Sequence, residues 1–299
     1  MFNMAKVTCV FILSEKSSGS SMLWRALTKA LNIQRYPKTK HFESETLFWT
    51  KAASLLEKPQ LNMLKSSVPY TKERSRKELE AFLSINLDKS FSQYSDRDLV
   101  FKGWLELITD FGPTFIEKSP HHLLQVSAMD LMLEFKSIYI AEVDVKFIGL
   151  IRNPYTTLCS QIRRWQPKVE QIMEQWKLTY MNLLGLQQRV EPADLYILRY
   201  EQLLDDKAQH IENIFKFINC TQSVSNTMSE KVRESKSDKS LSWFGFELDE
   251  STKYIAKSFG YIDTELKHER SAFWPLYKFY LYNIRGVLAY IKTKVYHAK

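Results

Sequence analysis

Two short stretches bring together residue types that do chemistry on anions. The first is Ser14-Glu15-Lys16-Ser17-Ser18-Gly19-Ser20-Ser21, directly after the apolar run Val7–Leu13 and directly before a helical pattern. A buried strand, a tight turn and a helix start offer free backbone N–H groups and the positive end of a helix dipole. Gly19 lets a ligand approach the backbone, Ser17, Ser18, Ser20 and Ser21 bring hydroxyls, and Lys16 brings charge. The Gly-Lys-Ser/Thr ending of a nucleoside-triphosphate loop is missing. A plain serine cap on the helix is the alternative reading. The second stretch is Val145–Ile151, then Arg152-Asn153-Pro154 and a helical segment carrying Ser160. Arg152 thus stands at the carboxyl end of a strand, where open α/β sheets bind ligands, and Pro154 suits a first helical turn. A guanidinium fork with a hydroxyl two turns along the helix suits a phosphate monoester.

The elements that must position these groups are an alternation of short apolar runs with longer segments of helical period. Strands are expected at 6–13, 113–118, 145–151 and 194–200, and the first helix at 19–32. The fold class expected is α/β, three-layered, with a central parallel sheet flanked by helices and a C-terminal helical extension. Residues 58–110 are rich in charge and read as an insertion over the strand ends, with a surface helix at 71–83. Residues 219–245 read as a serine-rich loop or lid. From 273 onward, positions 277, 280, 281, 284, 288 and 291 form one apolar face, and Lys278, Arg285 and Lys292 recur every seventh residue. A helix docked on the body or on a second copy fits that pattern. So does a basic amphipathic helix on a membrane surface.

Composition narrows the class. A chain of 299 residues with 44% hydrophobic and 25% charged residues is that of an ordinary globular protein. The net charge of +8 favours anionic ligands, but it is spread without an arginine-rich block or zinc spacing, so no nucleic acid is expected as partner. Three scattered cysteines, Cys9, Cys159 and Cys220, argue for a reducing compartment. Val7–Leu13 is too short for a signal core, and a cytoplasmic location is the expectation.

The two anion stretches, with Glu117-Lys118-Ser119-Pro120-His121-His122-Leu123, Leu198–Leu204 and Phe259-Gly260-Tyr261, resemble the sulfotransferase family that uses 3′-phosphoadenylyl sulfate (PAPS), in its bacterial and carbohydrate-type branch. That family has a P-loop-like nucleotide-binding fold. The resemblance runs over roughly residues 6 to 261 and implies a sulfotransferase domain at 1–262 followed by a C-terminal extension at 263–299. It implies PAPS as donor, PAP as product, no metal, and a small-molecule or carbohydrate acceptor presenting a hydroxyl or amine. The family's loop, here Lys16 and Ser17 to Ser21, would hold the 5′-phosphosulfate, with Arg152 and Ser160 on the 3′-phosphate. One departure stands out: the family's basic residue precedes the Ser-Gly pair directly, and here that place is Ser17, with Lys16 one residue earlier. Either the turn lets Lys16 reach the bridging oxygen, or Lys118 supplies the charge alone.

By the same resemblance Lys118 contacts the sulfuryl group. The stretch Glu43-Ser44-Glu45-Thr46-Leu47-Phe48-Trp49 makes Glu45 the first choice of base, with His41 and His122 as runners-up. Glu43 and Glu45 as caps of a helix starting near Ser44 are the alternative. Glu117, one residue before Lys118, is expected to orient it or to cap the next helix, and His122 to lie on that helix's surface. Trp243 stands where the family often places an aromatic near the nucleotide, with ordinary packing as the alternative. A P-loop kinase or NTPase and a catalytically inactive nucleotide-binding scaffold remain the competing functions.

Overall fold

The computed structural model describes residues 6–41, 44–219 and 241–285. They fall into two compact units, one drawn from Met1–Arg152 and Leu178–Ser229, the other from Asn153–Lys177 and Glu230–Lys299.

The first unit is built on four parallel strands in the order β2-β1-β3-β4. They are β1 (Val7–Ser14), β2 (Thr114–Lys118), β3 (Val143–Ile151) and β4 (Leu195–Arg199), each within a few residues of its expected place. The runs Cys9–Leu13 and Phe147–Ile151 lack polar alternation because helices cover both faces of the sheet. On one face Val10, Ile12, Ile148, Leu150 and Leu198 pack against α1 (Ser20–Ala30), α8 (Tyr200–Asp205) and α9 (Lys207–Phe217). On the other, Phe11 stacks on Phe147 and Trp104 and meets Trp49 edge-on. Trp49 belongs to α2 (Phe48–Leu55) and Trp104 to α4 (Asp96–Phe111). Residues 58–110 hold α3 (Lys72–Leu87) as well as α4, both started by a hydroxyl cap, Thr71 and Ser95. Between β2 and β3 lies α5 (Val126–Ile138), and α7 (Val169–Gln187) precedes β4.

The second unit holds α6 (Pro154–Trp165), α10 (Glu250–Ser258), α11 (Asp263–Leu266) and α12 (Trp274–Phe279). Pro154 opens α6 and the Asn153 side chain caps it, as the Asn-Pro pair leads one to expect. Tyr155 of α6 stacks on His268 and Phe246, and Lys177 pairs with Asp249. After Phe279 the chain widens into a π turn, Tyr280–Ile284. That turn breaks the single apolar face expected for the C-terminal helix. Leu281 is fully buried while Tyr280 and Ile284 are exposed, because the wider winding rotates successive side chains away from the helical register. Positions 288, 291 and Lys292 lie outside the described residues, as does the greater part of the expected 219–245 lid. No helix among the described residues is long and apolar enough to cross a membrane.

The aromatic layer is where the sheet is most sensitive to side-chain volume. Trp104 is fully buried against Phe11, Phe48, Trp49 and Phe115. Trp104→Ala is expected to cost about 3–5 kcal/mol, read as a lower urea midpoint with the slope unchanged.

Candidate functional site

All the chemistry-bearing residues of the first unit sit at the carboxyl edge of its sheet. Strand register puts them there: Lys118 ends β2 opposite Ile12, Ser14 ends β1 opposite Leu150, and Ile151, just before Arg152, pairs with Arg199.

The loop after β1 is held from three sides. Ser17 and Gly19 both adopt positive φ, 66° and 92°. At Gly19 a Cβ would come within 2.3 Å of the Tyr200 ring, so glycine is required both by φ and by this close approach. The Arg152 guanidinium lies 4.7 Å from the centre of that ring and donates to the Ser17 carbonyl at 3.1 Å. Tyr180, fully buried, donates its one proton to the Leu150 carbonyl, 3.1 Å away. The Ser18 hydroxyl, 3.0 Å from the Tyr180 oxygen, must then be the donor in their contact. In this structure the Ser18 hydroxyl thus ties the loop to Tyr180. Beside it the Glu15 carboxylate is buried and accepts from Thr179 at 2.6 Å.

The serine-cap alternative fails on geometry. The N-cap of α1 is Gly19, and no side chain caps the helix. Met22 and Leu23 both donate to the Gly19 carbonyl, so the backbone N–H groups of Ser20 and Ser21 are the first-turn donors left without an intrahelical acceptor, at the positive end of the dipole. Ser21, in that first turn, accepts from the Lys118 ammonium at 3.1 Å, and Lys118 also pairs with Glu45 at 3.0 Å. Lys118 is almost wholly enclosed and Glu45 partly exposed, so the carboxylate is the accessible half of the pair. The donor set suits a phosphate or sulfate ester: one uncapped helix end, one ammonium and one guanidinium. Lys16 donates to the Leu64 carbonyl at 3.0 Å. Burial holds its ammonium below the usual lysine range, against the opposing pull of Glu15 and Glu45.

Glu45 does not cap a helix from Ser44, since α2 begins only at Phe48 with Leu47 as N-cap. Glu43 lies outside the described residues. Glu117 neither orients Lys118 nor caps a helix. Its Oε1 accepts from Thr46 at 2.8 Å and from Ser119, and faces His122 Nε2 at 3.3 Å, while Ser119 accepts from the Leu47 N–H. This network fastens the 45–47 segment to the end of β2 and so positions Glu45. Burial alone would raise the Glu117 carboxyl; His122 and the hydrogen bonds from His122, Ser119 and Thr46 outweigh it and hold the carboxyl below its usual range.

His122 is fully buried in the turn after β2, because α5 starts only at Val126; its ring nitrogens face Glu117 and Thr50. The surface-helix expectation is thereby corrected, and both nitrogens are engaged away from solvent. His41, the other runner-up, receives the Lys51 ammonium on Nε2 at 3.2 Å, which ties up the lone pair that a base needs. Sequence reasoning passed over His121. Its Nδ1 is buried with no hydrogen-bond partner among the described residues. Burial first, and then Lys16 and the neighbouring His122, His41 and Lys118, hold its imidazole well below the ordinary 6.5 and therefore neutral. The doubled His in the Lys118 motif was the available signal. Sequence reasoning also left Tyr180 and Tyr200 without a role.

In the second unit, Ser160 lies half-buried on α6, and Trp243 is half-exposed with its ring against Phe273 and Tyr277. For Trp243 this is the packing alternative.

Glu117→Gln is expected to destabilise the fold by about 1–3 kcal/mol at neutral pH, because an amide cannot accept from Thr46, Ser119 and His122 as a carboxylate does. The folded carboxyl titrates below the unfolded one. Its contribution is therefore complete above the ordinary 4.5 and is lost as pH falls through the lower folded value. Urea midpoints of wild type and variant should converge on acidification.

Comparison with known proteins bears on the same segments. Comparison with curated proteins finds no match. Among solved structures, the sulfotransferase domain from the Synechococcus PCC 7002 olefin synthase is 19% identical, with a TM-score of 0.52 over 86% of this chain and 96% of that one. The sulfotransferase domain from the curacin biosynthetic pathway is 20% identical, with a TM-score of 0.50 over 86% of this chain and 98% of that one. At such identity these likenesses speak to the fold: a parallel sheet flanked by helices. A family model, described as Sulfotransferase family, matches residues 9–223, a span that opens in β1 and takes in the start of α1, Lys118 and Arg152. With most of its length under that match, and with the fold to go with it, the chain belongs to the sulfotransferase family.

Proposed function

We propose that the protein transfers a sulfuryl group from PAPS to a hydroxyl or amine of a sugar, lipid or specialised small metabolite, releasing PAP. The observation that carries this reading is the placement of Lys118, which joins the uncapped start of α1 through Ser21 and the partly exposed carboxylate of Glu45. Bound PAPS would supply the sulfuryl group and a phosphate leaving group. The first-turn N–H groups of Ser20 and Ser21 hold the 5′-phosphate oxygens, and the Arg152 guanidinium, backed by Tyr200, takes the 3′-phosphate. Lys118 stabilises charge on the oxygen that departs. Glu45 accepts the proton of the acceptor. The residues fit a metal-free transfer, since a single sulfuryl charge has no β,γ-diphosphate to be bridged. A cytoplasmic setting suits the free, buried Cys9 and Cys159.

A second reading of the base rests on His121, whose neutral imidazole stands in the field of Lys16 and Lys118. Glu45→Gln should lower turnover about 100- to 10,000-fold if Glu45 is the base. Should His121→Asn do so instead, with Glu45→Gln near wild type, the role passes to His121. In that case the rate should hold as pH falls through 6.5 and decline only in more acid solution, because an imidazole base must be unprotonated and burial keeps this one so.

Two measurements test the reading as a whole. Titration calorimetry should find PAP bound without Mg²⁺ and ATP not bound; Mg²⁺-dependent ATP binding would point to a kinase or NTPase. Transfer of labelled sulfate from PAPS across a panel of sugars, lipids and metabolites should show turnover, reduced about 100- to 1,000-fold by Lys118→Met. PAP binding without turnover on any acceptor would mark an inactive scaffold.

A further inference from the structure

The second unit carries an apolar surface that the sulfuryl-transfer reading leaves unused. Phe273, Leu276, Phe279, Tyr280 and Ile284 are all well exposed along α12 and the π turn that follows it, with Leu276 at 70%. Between Trp243 and this helix runs an open groove of about 450 Å³ lined by Trp243, Phe273, Leu276, Tyr277 and Tyr280. An apolar patch of this kind on a charged protein marks a contact with something less polar than water. It is not a consequence of poor packing. The helix is fastened on its other side by buried Leu281, by Tyr282 donating to the Pro167 carbonyl at 2.6 Å and by Arg285 donating to the Arg163 carbonyl at 2.6 Å.

Charge indicates what covers the patch. From Phe273 to Lys299 the sequence has Lys278, Arg285, Lys292, Lys294 and Lys299 and not one Asp or Glu. A stretch rich in aromatics and basic residues, with no acid at all, matches a negatively charged lipid surface. Tyr and Trp are the side chains that sit at the boundary between headgroups and acyl chains, and Lys278 is exposed on the same short helix. We infer that the surface formed by Trp243, α12 and the following turn docks the protein on an anionic phospholipid bilayer, with the aromatic groove at the acyl boundary and Lys278 among the headgroups. Lys278 and Arg285 interrupt the apolar run, so the attachment is peripheral and reversible.

Flotation of the full chain with vesicles of phosphatidylcholine, alone or mixed with phosphatidylserine, tests this. Binding is expected only with phosphatidylserine, and it should weaken as salt is raised, an arm that needs no variant. Leu276→Ser and Phe279→Ser should each weaken partitioning about tenfold or more, and Lys278→Glu about fivefold or more, with circular dichroism and PAP affinity unchanged. Equal binding to both vesicle types, or none to either, overturns the inference. It is also overturned if Leu276→Ser abolishes a concentration-dependent dimer in sedimentation equilibrium, which would make a second copy the occupant. A third contrary result is vesicle binding that appears only after deletion of residues 286–299, which would mean that those residues cover the face.

Discussion

Parallel pairing of β1 between β2 and β3 is the constraint on which the rest of the molecule depends. Parallel strands all present their carboxyl ends at one edge, and the ladder fixes how far each one reaches. Because Ile12 pairs with Lys118 and Ser14 with Leu150, the loop after β1, the lysine that ends β2 and the arginine after β3 meet at a common level. A slip of one residue in β2 would turn Lys118 to the opposite face and bring Glu117 in its place. Such a slip would also disturb the packing of the aromatic layer of Phe11, Trp49 and Trp104.

Several charges at that edge are held in pairs and networks. Lys118 is matched by Glu45, Glu117 by three hydrogen-bonding side chains, and Glu15 by Thr179. Burying an unpaired charge would cost several kcal/mol, roughly the whole margin of stability of a domain. The site therefore answers two demands at once. It gathers cations and donors that would suit an anionic ligand, and it pairs Lys118 with Glu45 so that the protein folds without one.

Much of this was legible in the sequence, for reasons that can be named. Strands buried on both faces give unbroken apolar runs, so β1 and β3 announced themselves, and a charged residue at the end of such a run, Lys118 or Arg152, has only the strand edge to occupy. Pro154 after Asn153 fixed the start of α6. Contacts between residues far apart in the chain left no local trace. Ser18 shows no sign in the sequence of its tie to Tyr180, far along the chain. His41 looks like a base until Lys51 turns out to sit on its lone pair, and His122 looks like a surface residue until the turn at Ser119–Leu124 folds it inward. The C-terminal face was misread for a different reason: a periodic pattern presumes uniform winding, and the π turn at Tyr280–Ile284 is not uniform.

The three tethers on the loop after β1 have a consequence for the cost of binding. Ser17 is fixed through Arg152, Ser18 through Tyr180 and Gly19 against Tyr200, all by side chains of the first unit. A glycine- and serine-rich segment would ordinarily surrender a good deal of conformational freedom when it closes on a ligand. Here that freedom is given up at folding, so an anion bound at this loop would not bear the cost of ordering it again.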